Sequence, residues 1–277
     1  MLENPAQKAI EHSGRKMEIS ISTTASPDQV YQAWADPEKI SHWFTDKAEG
    51  RAEPGVTITW IFDKFNYRIP YEVIAAEPGR RFAIRWNPPP GRPPGVLEVT
   101  IEKQVGATIV RLVNSGFLEG AEWQNEYDGI DSGWQMALAI LKHYLENYYG
   151  LPRSSFFAMR PANFTTERLL PFHRTAEGLA KWLTTSGGFN AVGDSFQLAL
   201  RGGGSINGQV LALTKTETQL SWTEVRGVLG LKAINMGPQK MLAVHGCGWG
   251  MPPERAKEIE QQMERALESL AQALTTP

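Results

Sequence analysis

Cysteine is almost absent: Cys247 is the only one, which rules out an internal disulfide and any site built from several thiolates. No stretch approaches the roughly eighteen uninterrupted apolar residues that a membrane-crossing helix needs. Neither sign of charge dominates. The formal net charge is −2, too small for a global field that would recruit nucleic acid or an anionic membrane. HExxH, paired cysteines, a nucleophile elbow and a dinucleotide fingerprint are all missing, so no motif marks an enzyme, a metal or a cofactor. Met1 to Lys16 is polar, with no apolar core of a cleaved signal, and cytoplasmic residence is the expectation. Asn163-Phe164-Thr165 matches a glycosylation acceptor but has no meaning without secretion.

What is present is a soluble composition, 42% hydrophobic and 21% charged, with nine tryptophans. There is also a repeat. Ser26-Pro27-Asp28-Gln29-Val30 opens a stretch that runs through Trp34 and Ile40 to Trp43-Phe44-Thr45. Thr165-Thr166-Glu167-Arg168-Leu169 opens a second, running through His173 and Leu179 to Trp182-Leu183-Thr184. Ser26 and Thr165 stand 139 positions apart, and so do Trp43 and Trp182. A constant offset over capping residue, first-turn acid and closing aromatic-aliphatic pair means one fold used twice.

Each copy reads alike. Met17 to Thr23 alternates apolar with polar, the pattern of a strand with one buried face. Ser26 caps a helix, with Pro27 at its first position and Gln29 as capping-box partner. Asp36-Pro37 ends that helix and begins another, ending near Trp43-Phe44. Strands are expected at 47–51, 55–62, 67–75, 81–86, 95–102 and 107–115, with a stiff proline-dense loop over 87–95. From about Trp123 the period becomes helical, with Trp134, Leu138, Leu141 and Leu145 in one seam and Ala137 and Tyr144 beside it. In the second copy strands are expected at 155–159, 196–200, 208–213, 219–225, 232–236 and 240–245, then a helix over 255–274. That helix carries Met263, Ala266, Leu267, Leu270 and Leu274, matching the first seam at an offset of 129. The second copy is therefore shorter by about ten residues, and the proline-dense loop is expected to explain most of the difference. The order describes an α+β fold of two tandem helix-grip domains. Each is a curved antiparallel sheet wrapped around a long C-terminal helix, with a two-helix corner after the first strand. The expected divisions are a flexible arm at 1–15, one domain at 16–150 and a divergent one at 154–277.

Pro37-Glu38-Lys39-Ile40-Ser41-His42-Trp43-Phe44 and Gly133-Trp134-Gln135-Met136-Ala137-Leu138 resemble the START-like (SRPBCC) superfamily, in the group similar to the C-terminal domain of the Hsp90 ATPase activator. The resemblance covers about Met17 to Gly150 well and the second half in outline. It implies the helix-grip fold. The superfamily hosts lipid carriers, hormone receptors, polyketide cyclases and co-chaperone domains, so the fold alone does not fix a function.

Candidate chemistry is mostly aromatic. Trp34, Trp43, Phe44, Trp60, Phe62, Tyr67, Tyr71, Trp86, Phe117, Trp134 and Leu138 fall on elements that enclose the space between sheet and helix, with Phe82 in the same set. They either line a pocket for a small hydrophobic ligand or fill a core. Arg85, Asn114, Tyr67, Tyr71 and His143 are the polar groups that would orient a ligand. His143 is expected on a solvated flank and His42 on the surface at the cavity mouth. His245-Gly246-Cys247-Gly248-Trp249-Gly250 pairs a thiol with a histidine, but its glycines read first as a flexible turn. Gly202 to Gly208 is glycine-rich without a following helix, hence a mobile hairpin rather than a phosphate loop. Trp222, Glu224 and Arg226 are expected to alternate on one strand face and to line a second, more polar pocket or an exposed surface.

The leading expectation is a non-catalytic protein that holds a small hydrophobic or amphipathic molecule in the first copy, with the second as lid or degenerate pocket. The fused tandem would be a monomer with an internal pseudo-dimer, without nucleic-acid, membrane or cofactor partners. One alternative is an enzyme resembling polyketide aromatase/cyclases, which act largely by holding a chain in a shaped pocket, with Tyr67, Tyr71, Arg85 and His42 as its candidates. The other is a co-chaperone-like partner of an Hsp90-type ATPase. The eukaryotic activator's Asn- and Trp-rich stimulatory segment has no match, since Met1 to Lys16 holds no tryptophan and only Asn4.

Overall fold

The computed structural model describes residues 10–275, apart from Pro89, Gly237 and Pro238. The first copy runs β1 (Arg15–Thr23), α1 (Pro27–Ala35), α2 (Pro37–Ser41), β2 (Lys47–Glu49), β3 (Thr57–Phe62), β4 (Tyr67–Glu77), β5 (Arg81–Trp86), β6 (Gly95–Gln104), β7 (Ala107–Phe117) and α3 (Gln124–Asn147). The second runs β8 (Arg153–Pro161), α4 (Thr166–Arg174), α5 (Ala176–Ala180), β9 (Thr184–Ser186), β10 (Ser195–Leu200), β11 (Ser205–Leu213), β12 (Glu217–Trp222), β13 (Gly227–Met236), β14 (Gln239–Trp249) and α6 (Pro253–Thr275). Each copy builds a seven-stranded antiparallel sheet, in the orders β1-β7-β6-β5-β4-β3-β2 and β8-β14-β13-β12-β11-β10-β9. The first strand of each copy pairs with the last, and the helical corner carries the chain from one edge of the sheet to the other. The fold is α+β, duplicated.

Local chemistry sets the corners. The Ser26 side chain accepts from the Gln29 backbone N–H while the Gln29 side chain accepts from Ser26 N–H, a complete capping box, and Pro27 supplies a preset φ. The Thr165 side chain accepts from Arg168 N–H to cap α4, and that of Thr175 from Gly178 N–H to cap α5. Register shifts at Val73/Ala75 in β4 and Val210/Ala212 in β11 are bulges at corresponding places, and bulges bend a sheet. The second core is continuous. Phe156, Leu198, Leu220, Leu229, Leu231, Leu242 and Val244 from the sheet meet Ile259, Met263, Leu267, Leu270 and Leu274 from α6. Each fully buried side chain of this size contributes roughly 1.5–3 kcal/mol. Edge strand β8 also holds α6 through Phe157 N–H to Glu260 at 2.7 Å and Arg160 to Glu268 at 2.9 Å.

Pro27 and Thr166 open α1 and α4, 139 positions apart; the offset falls to 136 at Arg81 and Glu217, 132 at Gly95 and Gly227, and 129 at Gln124 and Pro253. Four of the ten lost residues therefore fall where the proline-dense loop is replaced by a 3-10 turn, Thr223–Val225, with Arg226 after it. That is the largest single share but less than the expected majority. Three more leave the link before the closing helix.

Two other expectations change. Residues 1–9 of the expected arm lie outside the described residues, but His12 is fixed: its Nε2 is 2.7 Å from Glu98 and its Nδ1 3.0 Å from Ser115. The expected turn at His245 to Gly250 is strand as far as Trp249. Its glycines are there for close approach: a Cβ at Gly246 would stand 2.1 Å from the Val228 carbonyl oxygen and 2.4 Å from the Phe156 ring.

Contacts divide the chain into two compact units that do not follow the repeat. One holds the described residues up to Pro37 with Lys47–Asp131; the other holds Glu38–Asp46 with the described residues from Ser132 onward. Within the second unit the Arg153 guanidinium donates to the carbonyls of Ser41 and Trp43 at 3.0 Å, Phe44 at 2.7 Å and Thr45 at 2.8 Å. Trp249 Nε1–H donates to the His42 carbonyl at 2.7 Å. Those bonds make the first copy's corner part of the second unit's interior.

Candidate functional site

A cavity of about 450 Å³ opens in the second copy, within the range of roughly 300–1,000 Å³ common for small-molecule sites. Three segments frame it: the β10–β11 hairpin (Leu200, Gly203, Gly204, Ser205), the 3-10 turn with its flanks (Trp222, Glu224, Val225, Arg226), and the link into α6 (Trp249 to Pro252, then Arg255 and Gln262). Its floor is apolar and buried: Leu200, Trp222, Trp249 and Met251 are each at most 8% exposed. Its rim is polar, with Glu224, Arg226 and Arg255 exposed and Gln262 half-buried.

The rim is pinned from within. Glu224 accepts from Asn207 N–H and Ser205 Oγ–H, both at 3.1 Å, and from the Asn207 side-chain amide, which ties the turn to the hairpin. Gln262 donates to the Gly203 carbonyl at 3.2 Å. Gly203 and Gly204 hold φ of 90° and 83°, a left-handed turn that a side chain would strain. In the floor, Trp222 Nε1–H donates to the Ser205 carbonyl at 3.2 Å, and Trp249 stacks on Tyr148 with centroids 5.0 Å apart. Both indole N–H donors are therefore engaged, Trp249 through the His42 carbonyl.

Trp222, Glu224 and Arg226 do share a polar pocket, though not by strand alternation. The strand ends at Trp222, Glu224 lies in the 3-10 turn, and Arg226 closes it at φ 51°. The glycine-rich segment is the hairpin of the rim.

The first-copy aromatic set is split between the compact units. In the first unit Trp34 and Trp60 are buried, and Trp60 meets Tyr71 at 4.7 Å. Phe117 meets Tyr127 edge-on at 5.3 Å. Phe62 and Trp86 are half-buried, with Trp86 across from Gly95. Tyr67 is 54% exposed at the hairpin tip after left-handed Asn66, so it encloses nothing. Arg85 pairs with Glu72 at 3.4 Å and is part-exposed. In the second unit Trp43, Phe44 and Trp134 form a ring series with 5.2 Å steps, and Leu138 is fully buried. Trp134, expected in the core seam, is only half-buried; Met136 is buried instead.

Residues 24–146 match the sequence profile of the family described as Activator of Hsp90 ATPase homolog 1-like protein. The match covers a little under half of the chain. No curated protein matches the chain. Among solved structures, a Mesorhizobium loti protein is 22% identical and covers 47% of this chain and 96% of its own, with TM-score 0.42. The Aha1 dimer of Colwellia psychrerythraea is 21% identical over 48% of this chain and 96% of its own, also with TM-score 0.42. The di-domain ARO/CYC BexL of the BE-7585A biosynthetic pathway is 13% identical over 95% of this chain and 99% of its own, with TM-score 0.44.

Within the family segment, His42 departs from the surface expectation. It is 6% exposed, with the Tyr144 hydroxyl 3.3 Å from its Nδ1. His143 is half-buried with its ring 5.9 Å from that of Trp249, and burial holds its pKa below the ordinary value. Cys247 is 1% exposed and burial pushes its thiol up, against the Arg153 guanidinium; His245 is held down to about 3 by burial, then by Lys232 and Arg153. A protonated, enclosed thiol is no nucleophile.

Sequence reasoning missed the Ser115–His12–Glu98 chain, because His12 lay in the expected arm. Its order resembles a hydrolase triad. Ser115 is only 2% exposed, and Arg81 donates to Glu98 at 2.6 Å, so the chain works as a clasp fixing residues 12–15 on β7. Among the described residues no group of three or more His, Cys, Asp or Glu side chains is placed to hold a metal ion. No described helix is long and apolar enough to cross a membrane.

Proposed function

We propose that this chain binds a small amphipathic molecule without transforming it, and that the second-copy cavity is the binding site. The observation that carries this is the layering of the cavity: a buried floor of Leu200, Trp222, Trp249 and Met251 beneath a rim of Glu224, Arg226, Arg255 and Gln262. An apolar floor rewards burial of a hydrophobic body, while a few rim groups orient its polar end. The sequence-based expectation put the guest in the first copy. The cavity volume of about 450 Å³ and its layered lining support the second.

Native mass spectrometry of gently purified chain tests this. A bound mass of a few hundred daltons is expected, about the size such a cavity holds, and Gln262→Trp, which places an indole at the rim from a helical position, should abolish it. An unchanged bound mass in Gln262→Trp, or the absence of any bound mass at high protein concentration, would contradict the proposal.

A further inference from the structure

We infer that the cavity's guest is a hydrophobic carboxylate, its apolar body against the floor and its charge at the Arg226–Arg255 side of the rim. This deepens the proposed function and rests on it. The floor cannot select a polar group, since both indole N–H donors already serve the Ser205 and His42 carbonyls. Selection must come from the rim. There, the one carboxylate of the lining, Glu224, is occupied by donors from Ser205 and Asn207. Arg255 shares its guanidinium with Glu258 at 2.8 Å. Arg226 takes part in no ion pair among the described residues and lines the cavity directly.

The backbone beneath Arg226 sharpens the point. It holds φ 51°, a left-handed position that glycine or asparagine takes more readily. The similar 3-10 turn after β3 uses Asn66, at φ 48°. A planar guanidinium matches a carboxylate in two parallel hydrogen bonds, and an exposed rim lets it do so without burying an unpaired charge.

Paired titrations of the full chain with 2-naphthoate and with 2-naphthamide, its uncharged isostere, separate the two claims by calorimetry. Naphthoate should bind about tenfold more tightly, the worth of one charge-assisted contact, and the difference should shrink as salt rises. Arg226→Gln should remove most of that preference, and Arg226→Lys should restore part of it. Arg255→Gln should act in the same direction more weakly. Equal affinity for both probes, or a naphthoate preference untouched by Arg226→Gln and Arg255→Gln, overturns the anion claim while the cavity survives. Binding of neither probe overturns both.

Discussion

His173 shows how one residue records both the repeat and its divergence. It stands 139 positions after Trp34, at the same point of the helical corner, and is 2% exposed, with its ring 6.2 Å from that of Trp182. Its Nδ1 is buried without a hydrogen-bond partner. Burial, with the neighbouring Arg174 charge, holds its pKa down to about 3 from 6.5. In the unfolded chain the ring gains a proton as pH falls through about 6.5; in the folded chain it stays neutral until about 3. The residue's effect on stability is therefore absent above about pH 6.5 and grows unfavourable from there down to about 3, by up to roughly 1.4 kcal/mol per pH unit. His173→Phe, an aromatic where the first copy already has one, should flatten the acid limb of stability over that window. Urea midpoints measured from pH 7.5 to 4 check this; parallel curves for the two proteins would show the ring to be protonated when folded. At this scale the sequence was least legible. Trp222, Glu224 and Arg226 were readable as pocket residues, but not the left-handed turn that gathers them, since nothing in Thr223-Glu224-Val225-Arg226 announces a positive φ. His42 and His143 were misplaced because their burial depends on Tyr144 and Trp249, about 100 positions or more away from one or both of them.

Elements were far more legible, because helix caps and strand alternation are local. Ser26-Pro27 and Thr165-Thr166 fixed both corners, and the apolar stripe of α6 is buried as its spacing implies. Strand ends were not. β13 begins at Gly227, five residues before its expected start, because Gly227 and Gly230 suppress the local strand signal while their lack of side chains is what lets neighbours approach. A Cβ at Gly230 would stand 2.2 Å from the His245 ring. The strongest inter-element device was also invisible. Arg153, at the head of β8, donates to the carbonyl of Ser41, the last residue of α2, and to those of Trp43, Phe44 and Thr45 just after it, where a helix end leaves carbonyls without partners. Arg153→Met should cost about 3 kcal/mol, because it strands part-buried acceptors. Arg153→Lys should recover little of it, since one ammonium cannot span the set. Chemical denaturation of the three proteins decides this, and a loss below about 0.5 kcal/mol in Arg153→Met would mean that water serves those carbonyls equally well.

For the molecule as a whole, duplication kept the scaffold and let the contents diverge. Both sheets have the same strand order and a bulge at the same strand. Where the first copy has its proline-dense loop, the second has the short turn that carries Glu224 and Arg226 to the cavity. The repeat was legible from the constant offset and the fold from element order. The site was legible only in Trp222, Glu224 and Arg226, because the aromatic count points to the first copy, whereas a cavity depends on where side chains fail to fill space. The central claim is that this unfilled space receives a guest. Amide and indole NMR of the full chain during titration with 2-naphthoate tests it most directly. Saturable shifts should concentrate at Gly203, Gly204, Gly250 and the indole N–H groups of Trp222 and Trp249, and disappear in Gln262→Trp. Shifts centred on other residues, or none at millimolar probe, would contradict the account.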